Sequence, residues 1–213
     1  MRILIILLLS VGLVRAEGEV AGDFDYYVLA LSWSPNWCAL EGDAKGSEQC
    51  ATDAKFGWVM HGLWPQYERG YPSFCRTSER DPTRTQSKTM AQIMGSAGSA
   101  WYQWKKHGRC AGLSATDYYS AATKAYFSIT RPDVFRRLTK PVKVPARVVE
   151  QAFLEENPAL RPDMLTITCK ASRIQEARVC FNKDLTPRVC GADVRRDCQM
   201  SDAIFNPVSQ ASP

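Results

Sequence analysis

Apolar and polar positions fall into two regimes along this chain. Asp25–Trp33 (DYYVLALSW) and Phe56–Trp64 (FGWVMHGLW) are dense in aromatic and branched residues. Each predicts a buried strand, the first ended by Pro35-Asn36 and the second by Pro65. Between them, residues 39–55 are small, polar and charged and predict a loop. Residues 66–80, with Gly70, Pro72 and Ser73, predict an irregular loop pinned by Cys75. The middle of the chain reads as helical. Helices are predicted over 84–95, over 99–109 (SAWYQWKKHGR) with Gly108 at its end, and through Phe127 from a capping-box-like Ser114 and Asp117. Asp133–Thr139 and Ala146–Glu156 predict two more. The pattern then turns strand-like over Met164–Lys170, Ile174–Asn182 and Leu185–Val189, and the last eight residues read as a loose tail. Strands and helices are segregated rather than alternating, so the class is α+β. A length of 213 residues without repeat or linker predicts one domain.

The first sixteen residues change the expected compartment. Met1-Arg2 is a positive start, Ile3 to Val14 is an apolar run broken only by Ser10 and Gly12, and Val14-Arg15-Ala16 fits a cleavage site. This is the layout of a secretory signal peptide, and the run is shorter than the roughly 20 residues of a membrane span. The expected product is a chain over 17–213 with no span, periplasmic or secreted. Removing Arg2 and Arg15 lowers the net charge from +5 to +3, which tolerates a polyanionic ligand but does not demand one.

In an oxidising compartment the eight cysteines, Cys38, Cys50, Cys75, Cys110, Cys169, Cys180, Cys190 and Cys198, read as disulfides. No pair has C-x-x-C spacing, which argues against zinc. Eight cysteines allow roughly a hundred pairings, so counting alone chooses none.

The chemistry centres on the two histidines, His61 and His107. Each is followed by glycine, and each lies in a tryptophan-rich segment. A single histidine is most often a satisfied structural residue; two in matching contexts weaken that reading. On a 99–109 helix, Gln103, Lys106 and His107 fall at i, i+3 and i+4 and share a face, while Trp101 and Trp104 share a neighbouring face able to enter the core. Spacing alone equally allows a solvated basic face, since Lys105 and Arg109 flank it. With His61 opposite, two imidazoles and a lysine would form a phosphoryl-transfer site needing no metal or other cofactor. One histidine would accept a proton from a nucleophile, the other would protonate the leaving oxygen, and the lysine would stabilise the extra charge. RNA fits because its 2′-hydroxyl is an internal nucleophile; DNA has none. Tryptophan and tyrosine beside the histidines offer faces for unpaired bases.

FGWVMHGLWPQY and WYQWKKHGRC resemble the two active-site segments of the ribonuclease T2 family, and YYVLALSWSPNWC resembles that family's first strand. The similarity runs over roughly residues 24–200. It implies a central antiparallel sheet with packed helices. It also implies low-specificity endoribonuclease chemistry on single-stranded RNA, through a 2′,3′-cyclic phosphate to a 3′-phosphate. By position, His61 matches the general acid, His107 the general base and Lys106 the stabilising lysine, while Trp64 and Gln66 match base-contacting positions. The resemblance also implies bridges Cys38–Cys50, Cys75–Cys110, Cys169–Cys198 and Cys180–Cys190. Two positions depart from it: Gln103 stands where a carboxylate is common, and Tyr102 where a phosphate-binding histidine is common. These departures motivate an alternative, a weak or inactive member that binds RNA or a protein. A secreted protein of another class, such as an inhibitor, would instead place its histidine rings beyond roughly 12 Å from one another. A monomer is expected in each case.

Overall fold

The computed structural model describes residues 19–208; the leader expected over 1–16 lies outside them. Strand β1 (Tyr26–Trp33) is buried along its whole length because neighbours cover both its edges. β2 (Trp58–Gln66) and β5 (Arg173–Phe181) pair with it on either side, both antiparallel. β2 forms one edge of the sheet, which is why Pro65, having no N–H to donate, can sit within it. β4 (Leu165–Lys170) pairs antiparallel with β5. Ala171 and Ser172 turn between them, both at positive φ, as a two-residue hairpin requires. β3 (Val142–Val144) pairs antiparallel with β6 (Ala203–Phe205), and β6 meets β5 through one parallel pair, Arg173 with Ile204. The expected antiparallel sheet is therefore mixed, by that one contact.

Helices cover one face. α2 (Arg84–Met94) opens on a full capping box, Thr83 with Gln86, and stops at the left-handed Gly95. α3 (Ala97–Lys106) opens on Ser96, whose hydroxyl accepts the Ser99 N–H at 3.0 Å. α4 (Ala115–Ser128) opens on Ser114, which accepts the Asp117 N–H at 3.1 Å. α5 (Ala146–Glu156) follows β3. Met90, Met94, Trp104, Tyr118, Tyr119 and Phe153 from these helices share one core with Leu29, Leu31, Met60, Leu63 and Val179 from the strands.

Four expectations are corrected. The loop over 39–55 is partly helical: α1 (Ser34–Trp37) runs into a π-helical turn, Cys38–Gly42, and a 3-10 turn forms at Glu48–Cys50. The buried Asn36 fixes this corner, donating to the carbonyls of Ile174 at 2.7 Å and Ile204 at 2.9 Å. Asp133–Thr139 is a 3-10 turn, Asp133–Arg137, confined between Pro132 and Pro141. Leu185–Val189 is not a strand, because Leu185 takes a left-handed φ and Pro187 lacks an N–H. The first residues of the expected tail are docked. Asn206 accepts the Trp33 indole at 2.8 Å and donates to Asn36 at 2.9 Å, and Val208 is buried.

Four disulfides close the fold, Cys38–Cys50, Cys75–Cys110, Cys169–Cys198 and Cys180–Cys190, the pairings the resemblance implies. Among the described residues no helix is long and apolar enough to cross a membrane.

Candidate active site

The site begins with an extra residue in β2. Ala30 pairs with Gly62 and Leu31 with Met60, leaving His61 as a bulge. In a regular strand, positions 60 and 63 face opposite ways. The bulge turns both Met60 and Leu63 into the helix-covered core and so frees His61 and Trp64 for the other face. Trp64 packs there beside the cluster of Tyr26, Val28, Cys180, Cys190 and Val194.

The second histidine comes from the end of α3. That helix stops at Lys106, three residues earlier than the pattern predicts, and His107 caps it with its own N–H still bonded to the Gln103 carbonyl at 2.9 Å. The chain then tightens into a 3-10 turn, Gly108–Ala111. A side chain at Gly108 would collide with Trp104 and Tyr118, so glycine permits the imidazole to be tucked in. The Cys75–Cys110 bridge pins the turn. Of the two α3 tryptophans, only Trp104 enters the core; Trp101 is exposed and lies under the Lys105 ammonium at 4.6 Å.

Trp64 joins the two imidazoles. His107 stacks on it at 5.2 Å and 30°, and His61 meets it edge-on at 5.2 Å and 76°. The two imidazole centroids therefore lie at most twice 5.2 Å apart, inside the distance that would mark separate structural histidines. The indole N–H donates to the Gln103 Oε1 at 2.8 Å. That bond fixes the orientation of the buried amide and leaves its NH2 as the free donor end. Gly62 makes this possible, since a Cβ there would overlap both the Trp64 nitrogen and the Gln103 oxygen.

His61, Trp64, Gln66, Tyr102, Gln103, Lys106 and His107 all line one cleft of about 340 Å³, together with Tyr71, Arg178 and Asp193. A second cleft of about 470 Å³ shares His61, Tyr102 and Gln103 and continues past Trp37, Lys45, Lys170 and Gln175. The histidines thus sit within a continuous trough, on whose rim Tyr102 is half exposed. The Lys106 ammonium has no carboxylate partner among the described residues.

The two histidines occupy opposite electrostatic settings. His107 is buried and its Nδ1 has no hydrogen-bond partner. Burial, then the neighbouring Lys106 ammonium, then His61, push it down to about 3. It is a neutral base that no structural bond satisfies. His61 is partly open, and its Nδ1 lies 2.5 Å from the carboxylate of Glu176. Glu176 is a residue that pattern reading did not single out. Burial alone would raise its carboxyl, but the hydrogen bond and charge of His61, with Arg178, outweigh this and hold it at about 2. Arg178 grips the other carboxylate oxygen through Nε at 2.9 Å and a terminal nitrogen at 2.7 Å. A lone acid within the apolar stretch of β5 is the signal that could have marked it.

Among the described residues one group has metal-ligand geometry, Cys38, Asp43 and Cys50. Its two sulfurs are consumed in a disulfide, so the donor set does not fit a metal.

The Ribonuclease T2 family model matches residues 24–190. The chain belongs to this family. A ribonuclease of Aeromonas hydrophila is 46% identical over 110 residues, 52% of this chain and 48% of that protein. A probable ribonuclease of Haemophilus influenzae is 35% identical over 124 residues, 51% of this chain and 44% of that protein. The chain spans about half the length of these curated relatives. RNase NT in complex with 5′-AMP shares the fold at a TM-score of 0.65 and 20% identity, covering 87% of this chain and 99% of that one. Within this T2-family chain the bulged strand and the broken end of α3 are the two features that bring the histidines together.

Proposed function

We propose that this protein is an endoribonuclease of low base specificity that cleaves single-stranded RNA without a metal. The observation that carries the reading is one cleft in which neutral His107 and carboxylate-paired His61 flank the same indole, with Lys106 beside them. His107 takes the 2′-hydroxyl proton as the 2′-oxygen attacks phosphorus. His61 gives its proton to the departing 5′-oxygen, leaving a 2′,3′-cyclic phosphate. Lys106 and the Gln103 NH2 stabilise the charge that builds on the non-bridging oxygens. Water then opens the ring to a 3′-phosphate with the two imidazoles in exchanged roles. Trp64, Gln66 and Tyr102 line the route for bases. DNA, lacking the 2′-hydroxyl, is not cleaved. Residues 17–213 act as one monomeric unit, exported to the periplasm or beyond after loss of the 1–16 leader.

The test is digestion of RNA in excess EDTA with the products assayed for cyclic ends. Cyclic phosphate should form, and His61→Ala or His107→Ala should each lower kcat/KM by roughly 10²–10⁴-fold. Undiminished cleavage in the double variant overturns the reading. The second reading, RNA binding without turnover, is favoured by one observation: Gln103 is neutral and already engaged by Trp64. Tight RNA binding with no cyclic ends from about pH 4 to 8, the range over which imidazole changes state, would select it.

A further inference from the structure

We propose that Glu176, locked by Arg178, is the positioning residue for His61, holding the proton on Nδ1 and presenting Nε2 to the cleft. The role assigned to His61 in RNA cleavage rests on the reading above; the geometry of the pair does not. An ionised carboxylate only accepts hydrogen bonds, so an imidazole nitrogen 2.5 Å from Glu176 Oε1 must carry the hydrogen. The remaining ring nitrogen is then the one able to exchange a proton with substrate. Glu176 cannot turn away, because Arg178 holds its second oxygen through two bonds at 2.9 and 2.7 Å. Nor can solvent replace it, since Glu176 is 1% exposed. The Arg178 guanidinium in turn lies 5.4 Å from the Trp64 ring centre, tying the pair to the indole between the histidines.

This places the negative charge of the site on the sheet. The amide of Gln103, on the helix side, supplies none. The groups around His61 are Glu176 and Arg178 from β5, Lys106 and His107 from the end of α3, and, lining the same cleft, Tyr71, Tyr102 and Asp193, whose carboxylate accepts the Gly70 N–H. Across the outer cleft stand Lys170 from β4 with Glu41 and Lys45, joined in their own ion-pair network. Glu176 is the carboxylate that touches the ring.

The experiment follows the His61 ring nitrogens by NMR from pH 3 to 9, in the disulfide-formed protein and in Glu176→Gln, Glu176→Asp and Glu176→Gln/Arg178→Met. The double variant removes the half-buried guanidinium together with the buried carboxylate, so it avoids stranding the guanidinium. In the unmodified protein the neutral ring should be the Nδ1–H tautomer. Glu176→Gln and the double variant should mix the tautomers, because no ionised carboxylate then holds the hydrogen on Nδ1. Glu176→Asp should restore part of the Nδ1–H preference. On RNA, Glu176→Gln should lower kcat on the order of 10²-fold with KM changed less than about twofold. An Nε2–H tautomer in the unmodified protein, or an unchanged tautomer ratio in folded Glu176→Gln, overturns the proposal, whether or not the protein cleaves RNA. Absence of cleavage with the expected tautomers instead overturns only the activity.

Discussion

His107 should stay neutral far into acid, and the fold should weaken as pH falls for that reason. The ring is 5% exposed, so solvent screens little of its environment. Burial first, then the Lys106 and His61 charges, take it from the ordinary imidazole value of 6.5 down to about 3. At about 1.4 kcal/mol per pKa unit, this difference is on the order of 5 kcal/mol between the two protonation states. The sign follows from proton uptake. Between pH 6.5 and about 3 the unfolded chain binds a proton at this position and the folded chain does not, so the stability present above that window is lost as pH falls through it. Glu176 acts in the same direction in a lower window: its folded value of about 2 lies below the ordinary glutamate value of 4.5, so its contribution is lost as pH drops between them. The assay is urea unfolding from pH 7 to 3.5 alongside NMR titration of the His107 ring. The ring should not titrate above about pH 4, and stability should fall steadily below about pH 6.5. Lys106→Met should raise the midpoint by removing the neighbouring ammonium. A ring that titrates near 6.5, or a stability flat over this range in its His107-dependent part (judged against His107→Gln), would refute the reasoning.

Gly62→Ala should drive a methyl group into the Trp64–Gln103 hydrogen bond, cost about 1–3 kcal/mol of stability, and lower kcat/KM by more than the loss of folded protein explains, as steady-state kinetics at a temperature well below Tm would show. Replacing Cys75 and Cys110 together by alanine opens a bridge across 35 residues. It should cost about 4 kcal/mol by loop entropy, read as a lower urea midpoint, and should broaden the His107 ring signals because its turn is no longer pinned.

The elements that apolar density and capping could disclose were legible in the sequence. β1, β2, β4 and β5 lie where aromatic and branched runs place them, and α4 opens on the Ser114 that its spacing to Asp117 marks, whereas α3 starts at Ala97, ahead of the expected 99, on a Ser96 cap that the pattern does not single out. β3 and β6 escaped because three residues carry no period. Asn36 escaped because its value lies in two carbonyls far along the chain, those of Ile174 and Ile204. The grouping of Gln103, Lys106 and His107 could be read from helical spacing, even though the helix stops before His107, because the Gln103 carbonyl still receives the His107 N–H. Glu176 could not be paired with His61 by spacing, since 115 residues separate them. The bulge that turns His61 outward depends on register, and register belongs to two strands at once.

The division of labour proposed for the imidazoles follows from where each is rooted. Exchanging their roles in the first step would require His107 to enter as the acid. That means placing a proton on a buried ring beside an ammonium, against a penalty on the order of 5 kcal/mol near neutral pH. It would also require His61 to enter as the base, which means giving up the ion pair that only its protonated form makes with Glu176. Under the proposed mechanism both changes would oppose cleavage, and the cleft would favour one direction of proton flow: from the 2′-hydroxyl to the helix imidazole, and from the sheet imidazole to the 5′-oxygen. The same asymmetry shapes the second step. After cleavage His107 holds the proton it tolerates least and Glu176 faces a neutral ring. Hydrolysis of the cyclic phosphate, which on that mechanism would return the proton from His107 to the 2′-oxygen and take one from water onto His61, would restore the favoured state. Ring opening is thus coupled to resetting the pair, and weakening the Glu176 contact should slow hydrolysis more than product release.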